Sequence, residues 1–218
     1  MPGTSALRLL STAQLVEEQR KDALLLDVRP AETFAALHIR GAIQISLAGP
    51  FSSWAAMLLK PKQAMVVVAD SEPSAEEANT RLQRVGLGPV IGYSLADESQ
   101  WREQNIDLAS ISTSRCSQLQ ETLQRDASVQ LVDVRSRAEW LKGHLPGAIS
   151  LPLLDLHASA ERIDPAKPSL VYCLEGFRAT TAASILLRES SSGEIGILID
   201  GVEGWCASGL PLEVPNAK

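Results

Sequence analysis

The chain has 218 residues, 45% of them apolar and 21% charged, a composition that fits a globular protein and excludes disordered and fibrous types. Its 20 Lys and Arg against 26 Asp and Glu give a net charge of -6, without the basic excess that a phosphate backbone demands, so no nucleic-acid partner is expected. No apolar run approaches the roughly 20 residues needed to cross a bilayer, and Met1-Pro2-Gly3-Thr4-Ser5 shows no secretory pattern, so no membrane partner and a cytoplasmic location are expected.

From the N-terminus, short apolar runs alternate with helical patterns. Strands are predicted at residues 23–28, 42–46, 64–69 and 90–93, with a helix near 75–85. Residues 107–115, rich in Ser and Thr and without apolar periodicity, read as a connector. Beyond it the order recurs, with strands at 129–134, 148–151, 169–173 and 195–199 and a short helix at 135–143. A longer helix at 178–189 carries Ala179, Ala182, Ile185 and Leu186 on its inner face.

The recurrence is literal in places. Leu25-Leu26-Asp27-Val28-Arg29 is answered by Leu131-Val132-Asp133-Val134-Arg135, and His38-Ile39-Arg40-Gly41-Ala42-Ile43 by His144-Leu145-Pro146-Gly147-Ala148-Ile149, both at an offset of 106. A period this long is a duplicated domain and not a solenoid. The reading is therefore two α/β domains, 1–110 and 111–218, each a small, mostly parallel sheet flanked by helices and joined by right-handed crossovers.

Chemistry is expected where the strand ending at Cys173 runs through Leu174-Glu175-Gly176-Phe177 into a helix beginning at Arg178. Ligands of parallel sheets collect at the carboxyl ends of strands, and the unpaired N–H groups of a helix start favour an anion. A thiolate is such an anion, and a nearby cation, here Arg178, assists its formation. Gly176 lets the loop curl so that amides point inward. Cys116, Cys173 and Cys206 are too widely spaced for a disulfide framework or a CxxC metal site, so no metal and no cofactor are expected.

Asp133-Val134-Arg135, the downstream Gly143-His144-Leu145-Pro146-Gly147-Ala148-Ile149, the Cys173-x-x-Gly176-x-Arg178 loop and the final Asp200-Gly201-Val202-Glu203-Gly204-Trp205 together resemble a rhodanese domain. A weaker version covers the first half, so the whole resembles a tandem rhodanese pair. The resemblance implies a sulfurtransferase, with Cys173 as the catalytic residue and Leu174, Glu175, Gly176, Phe177 and Arg178 as the loop that binds substrate and stabilises a persulfide. Fold relatives among the dual-specificity phosphatases carry one more residue between Cys and Arg, so the shorter loop implies sulfur transfer. The implied partners are a small sulfur donor and a thiol acceptor, free or on a protein. Glu175 places a negative charge where some thiosulfate-using relatives have a cation, and the Cys-Gly-Ser-Gly pattern of mercaptopyruvate-type relatives is absent. A silent first half before an active second half also resembles the rhodanese region fused behind metallo-β-lactamase-fold hydrolases that process glutathione persulfide, which adds a low-molecular-weight persulfide to thiosulfate as a candidate donor. A non-catalytic partner-binding module is the alternative.

The first half has no cysteine, and Asp70 is expected to stand in the nucleophile's place, with Glu72, Glu76 and Glu77 repelling anions. That half is read as catalytically silent. Asp27 with Arg29 and Asp133 with Arg135 are expected to form internal ion pairs, with Asp133 also a candidate border of the pocket. His38, His144, Trp101, Trp205, Cys116 and Cys206 are assigned to structure and packing.

Overall fold

A computed structural model of the chain describes residues 7–125, 128–189 and 194–215. It divides into two compact units, Met1–Ser110 and Ile111–Lys218. In the first, four parallel strands lie in the order Ile43–Gln44, Leu24–Asp27, Met65–Ala69, Val90–Leu95. In the second the corresponding order is Ile149–Ser150, Gln130–Asp133, Ser169–Tyr172, Ile195–Leu198, with Ser112–Ser114 added at the far edge. The duplication seen in the sequence is therefore a duplication of topology. It extends to details: His38–Ile39 pairs antiparallel with Leu108–Ala109, and His144 bridges Glu213 antiparallel.

The central strands Leu24–Asp27, Met65–Ala69 and Ser169–Tyr172 are buried along their whole length, as continuous apolar runs covered by helices on both faces should be. The helix Phe177–Glu189 buries Ala179, Ala182, Ile185 and Leu186 as the periodicity requires, and Thr180, Thr181 and Ser184 as well. All three hydroxyls donate to carbonyls one turn back, Thr180 to Gly176 at 3.2 Å, Thr181 to Phe177 at 3.4 Å and Ser184 to Thr181 at 2.7 Å. Trp205 closes the second core with Cys116, Leu119, Tyr172, Leu198 and Val202, and its Nε1 donates to the Pro211 carbonyl at 2.9 Å. Trp101, fully buried, lies under the Arg29 guanidinium at 5.2 Å in the first. No helix among the described residues is long and apolar enough to cross a membrane.

Several boundaries differ from the sequence reading, for local reasons. The expected connector contains two short strands, Leu108–Ala109 and Ser112–Ser114. Edge strands this short are held by backbone bonds, so they need no apolar pattern. The helix expected near 75 begins at Glu72, because Ser71 caps it through the Ser74 N–H and Pro73 fits its first turn. The short helix of the second domain is only Arg137–Trp140, since Ser136 and Glu139 form a reciprocal capping box and Arg135 is held outside it. Helices at Thr12–Arg20 and Phe51–Leu58 were not anticipated.

Candidate functional site

The strand Ser169–Tyr172 delivers Cys173 to the carboxyl end of the sheet, and three residues later the chain enters the helix Phe177–Glu189. Cys173 is 2% exposed, and its Sγ accepts the Gly176 N–H at 3.1 Å. Gly176 has φ +95°, and a Cβ there would stand 2.7 Å from the Ile199 carbonyl oxygen, so both backbone and space require glycine. The loop's outer side is fixed by a neighbouring helix, Gly201–Ala207, whose Val202 and Glu203 N–H groups donate to the carbonyls of Cys173 and Leu174 at 3.0 and 3.3 Å. Gly201, at φ +48°, permits this contact, since a Cβ would collide with both carbonyl oxygens. In a trans peptide the N–H points opposite to the C=O. Anchoring those carbonyls on the helix thus turns the N–H groups of Leu174 and Glu175 to the other side.

Arg178 has a partner that the sequence reading did not identify. Its Nη1 and Nη2 bind Glu139 Oε2 and Oε1 at 2.8 and 2.7 Å, a bidentate pair across 39 residues. Glu139 is further fixed by Ser136, whose N–H and Oγ both donate to Oε2, at 3.0 and 2.7 Å. The bonds from Arg178, assisted by Ser136 and opposed by burial, hold the Glu139 carboxyl down at about 2. Glu139 in turn, together with the charge of Cys173, raises the pKa of Arg178 against the opposing effect of burial. A Ser-x-x-Glu box at 136–139, absent from the first half where Thr33 replaces Glu139, was the available signal.

The remaining loop residues divide by exposure. Glu175 is exposed, and so are Leu174 and Phe177, at 36% and 42%, which leaves two apolar side chains flanking the sulfur loop in solvent. Asp133 is 1% exposed and accepts three bonds from the Arg135 side chain at 2.6–3.0 Å, so its carboxylate is held by that pair. Arg135 continues to the Gly143 carbonyl at 2.7 Å, as Arg29, paired with Asp27 at 2.7 Å, continues to Leu37 at 2.9 Å, so both pairs clamp the turn that follows. His38 and His144 stack on Phe34 and Trp140, with ring centroids 3.9 and 3.4 Å apart, and their Nδ1 atoms bond the carbonyls of the same residues. Burial lowers the His38 pKa to about 4. These histidines are structural.

The other thiols differ from each other. Cys116 is buried, donates from Sγ to the Gly201 carbonyl at 3.1 Å, and is pushed up to about 12 by burial first and by Asp200 second. Cys206 is exposed, against the expectation that it packs, because it falls on the outer face of Gly201–Ala207. No group of three or more His, Cys, Asp or Glu among the described residues is placed to hold a metal.

Strand pairing also corrects the first domain. Asp27 sits opposite Val68 as Asp133 sits opposite Tyr172, so the residue in register with Cys173 is the buried Ala69 and not Asp70. Only Asp70 and Ser71 separate Ala69 from its helix, whereas Leu174, Glu175 and Gly176 separate Cys173 from its own. The shorter link leaves no counterpart of the turn that folds the Gly176 N–H onto Cys173, and no thiol stands at its start.

The family model described as "Rhodanese-like domain" matches residues 11–96 and 116–208. A protein called "Sulfurtransferase" in Allochromatium vinosum is 30% identical over 98 residues, 45% of this chain and 91% of that one. Thiosulfate sulfurtransferase GlpE of Coxiella burnetii is 32% identical over 85 residues, 39% of this chain and 78% of its own. An HTH-type transcriptional regulator of Mycobacterium tuberculosis, Rv0324, is 29% identical over 85 residues, 39% of this chain but only 38% of the regulator. With two matched segments that together cover most of its length, the chain belongs to the rhodanese-like family, as a tandem of two such domains.

Proposed function

We propose that the second domain is a sulfurtransferase that carries sulfane sulfur as a persulfide on Cys173. The observation that supports this most is the Gly176 N–H donating to Cys173 Sγ inside a loop whose outer carbonyls are tied to a neighbouring helix. Backbone amides held in this way stabilise charge on sulfur without reorganising during the reaction. The Cys173 thiolate attacks the outer sulfur of a donor, thiosulfate or a low-molecular-weight persulfide, and the donor's S–S bond breaks with its electron pair leaving on sulfite or a thiolate. A nucleophilic acceptor, such as a thiol, then takes the sulfur and restores Cys173, so the kinetics are ping-pong. Arg178 balances charge near the sulfur. The names of the sulfurtransferase relatives agree with this chemistry.

The first domain has Ala69 where the sulfur would sit, and its role in this reading is structural or partner-binding. The test is turnover of a donor to an acceptor by the chain and by Cys173→Ser. Transfer by the parent that is lost in the variant supports the reading. No transfer from either donor by a folded parent would instead favour a non-catalytic binding module.

A further inference from the structure

Arg178 is the only cation from Cys173 to Arg178, and its guanidinium is shared between two short bonds to Glu139 and the neighbouring Cys173. Glu175 adds an exposed carboxylate within the same loop. The side chains of Glu139, Glu175 and Arg178 therefore sum to one negative charge, and Leu174 and Phe177 add exposed apolar surface beside it. A site built to receive a dianion would present the opposite balance.

We propose that Glu139 and Glu175 determine donor specificity, so that the site takes sulfur from an organic persulfide with an apolar stem and discriminates against thiosulfate. This rests on the reading of Cys173 as the sulfur carrier. With a persulfide R–S–SH, the Cys173 thiolate bonds to the outer sulfur, the S–S bond breaks, and R–S⁻ leaves with the electron pair and takes a proton from solvent. One sulfur atom moves and nothing is oxidised or reduced overall. The reacting groups carry one negative charge, or two if the persulfide is ionised. With thiosulfate the same attack releases sulfite, and three negative charges share the site. An Arg178 whose charge is shared with Glu139 offers those charges less compensation than an unpaired guanidinium would. The stem of an organic persulfide, in contrast, finds Leu174 and Phe177 to cover.

The experiment follows the rate at which Cys173 gains sulfur in a single turnover, by quenched-flow mass spectrometry. Thiosulfate is compared with the persulfide of N-acetylcysteamine, whose stem is uncharged. The wild-type chain is expected to favour the organic persulfide by about tenfold or more in rate over half-saturating concentration. Glu139→Gln and Glu175→Gln are each expected to shift the thiosulfate-to-persulfide ratio toward thiosulfate by about fivefold, mainly through a lower half-saturating thiosulfate concentration. If Glu139→Gln does not fold, Glu175→Gln and the salt dependence of the wild type still decide. Raising salt from about 20 to about 500 mM should speed the thiosulfate reaction relative to the persulfide reaction. A wild-type preference for thiosulfate, or ratios unchanged by both substitutions and by salt, would overturn the specificity proposal. An equal fall with both donors in Glu139→Gln would reduce Glu139 to a structural support. Failure of both donors to add sulfur would overturn the carrier reading itself.

Discussion

The loop after Met65–Ala69 and the loop after Ser169–Tyr172 leave equivalent strands at equivalent registers, yet only the second begins with a thiol and folds a backbone N–H onto it. In the second domain the turn is long enough for Gly176 to fold its N–H onto Cys173 Sγ. In the first, Ser71 caps the helix from its own side chain, Pro73 supplies no N–H, and the position in register with Cys173 holds the buried methyl group of Ala69. The scaffolding around the two loops is nevertheless the same, with the Asp–Arg clamp and the stacked histidine present in both. Fold and chemistry are thus set by different residues. One loop residue and one side chain separate the two turns, while the Asp–Arg clamp and the stacked histidine are kept in both domains.

That contrast can be broken by trying to restore the silent site. Placing a cysteine in the first domain by Ala69→Cys, in a chain carrying Cys173→Ser, is expected to recover no transfer, because the loop lacks the residue that curls; measurable turnover would show that the nucleophile alone was missing. The clamps sharpen the comparison from the other side. Asp27→Ala and Asp133→Ala each leave a buried guanidinium unpaired, at a cost of about 3–5 kcal/mol, and denaturant unfolding should show similar losses in the two domains.

Gly176→Ala should have a smaller effect on stability, about 1–3 kcal/mol, but lower sulfur transfer by tenfold or more, since the added Cβ meets the Ile199 carbonyl and the N–H bond to Cys173 is displaced. The smallest effect concerns the Arg178–Glu139 pair, which has no counterpart in the first domain. The folded-state pKa of Glu139, about 2, lies below its ordinary value of 4.5, so its contribution is full above pH 4.5 and is lost as pH falls toward 2. With both side chains partly open to water, Glu139→Gln should cost only about 1 kcal/mol at pH 7, and the difference from the parent should vanish in acid unfolding curves below about pH 2.

Much of this was legible in the sequence because duplication writes each domain twice. The paired Asp-x-Arg and His-x-x-Gly segments fixed the repeat, and the run from strand to Cys173 to helix located the loop. What was not legible depends on contacts distant in sequence or on register. The bond from Arg178 to Glu139 spans 39 residues and leaves no local pattern beyond the capping box. Asp70 looked equivalent to Cys173 because it begins the polar stretch, but strand pairing assigns that register to Ala69. Ser112–Ser114 is a strand only because the backbone of Ile195–Leu198 lies beside it, and its polar sequence resembles a connector. The capping box of Ser11 and Gln14 marks the start of the helix Thr12–Arg20, but the apolar face of that helix is too slight for periodicity to reveal it.

The most direct test of the contrast between the domains maps sulfur by peptide mass spectrometry after incubating the intact chain with thiosulfate and, separately, with an organic persulfide. The expected result is a gain of one sulfur, about 32 mass units, on the peptide containing Cys173, with Cys116 and the exposed Cys206 unmodified. Sulfur on Cys206 with none on Cys173, or no gain while Cys173 alkylates readily, would contradict the account.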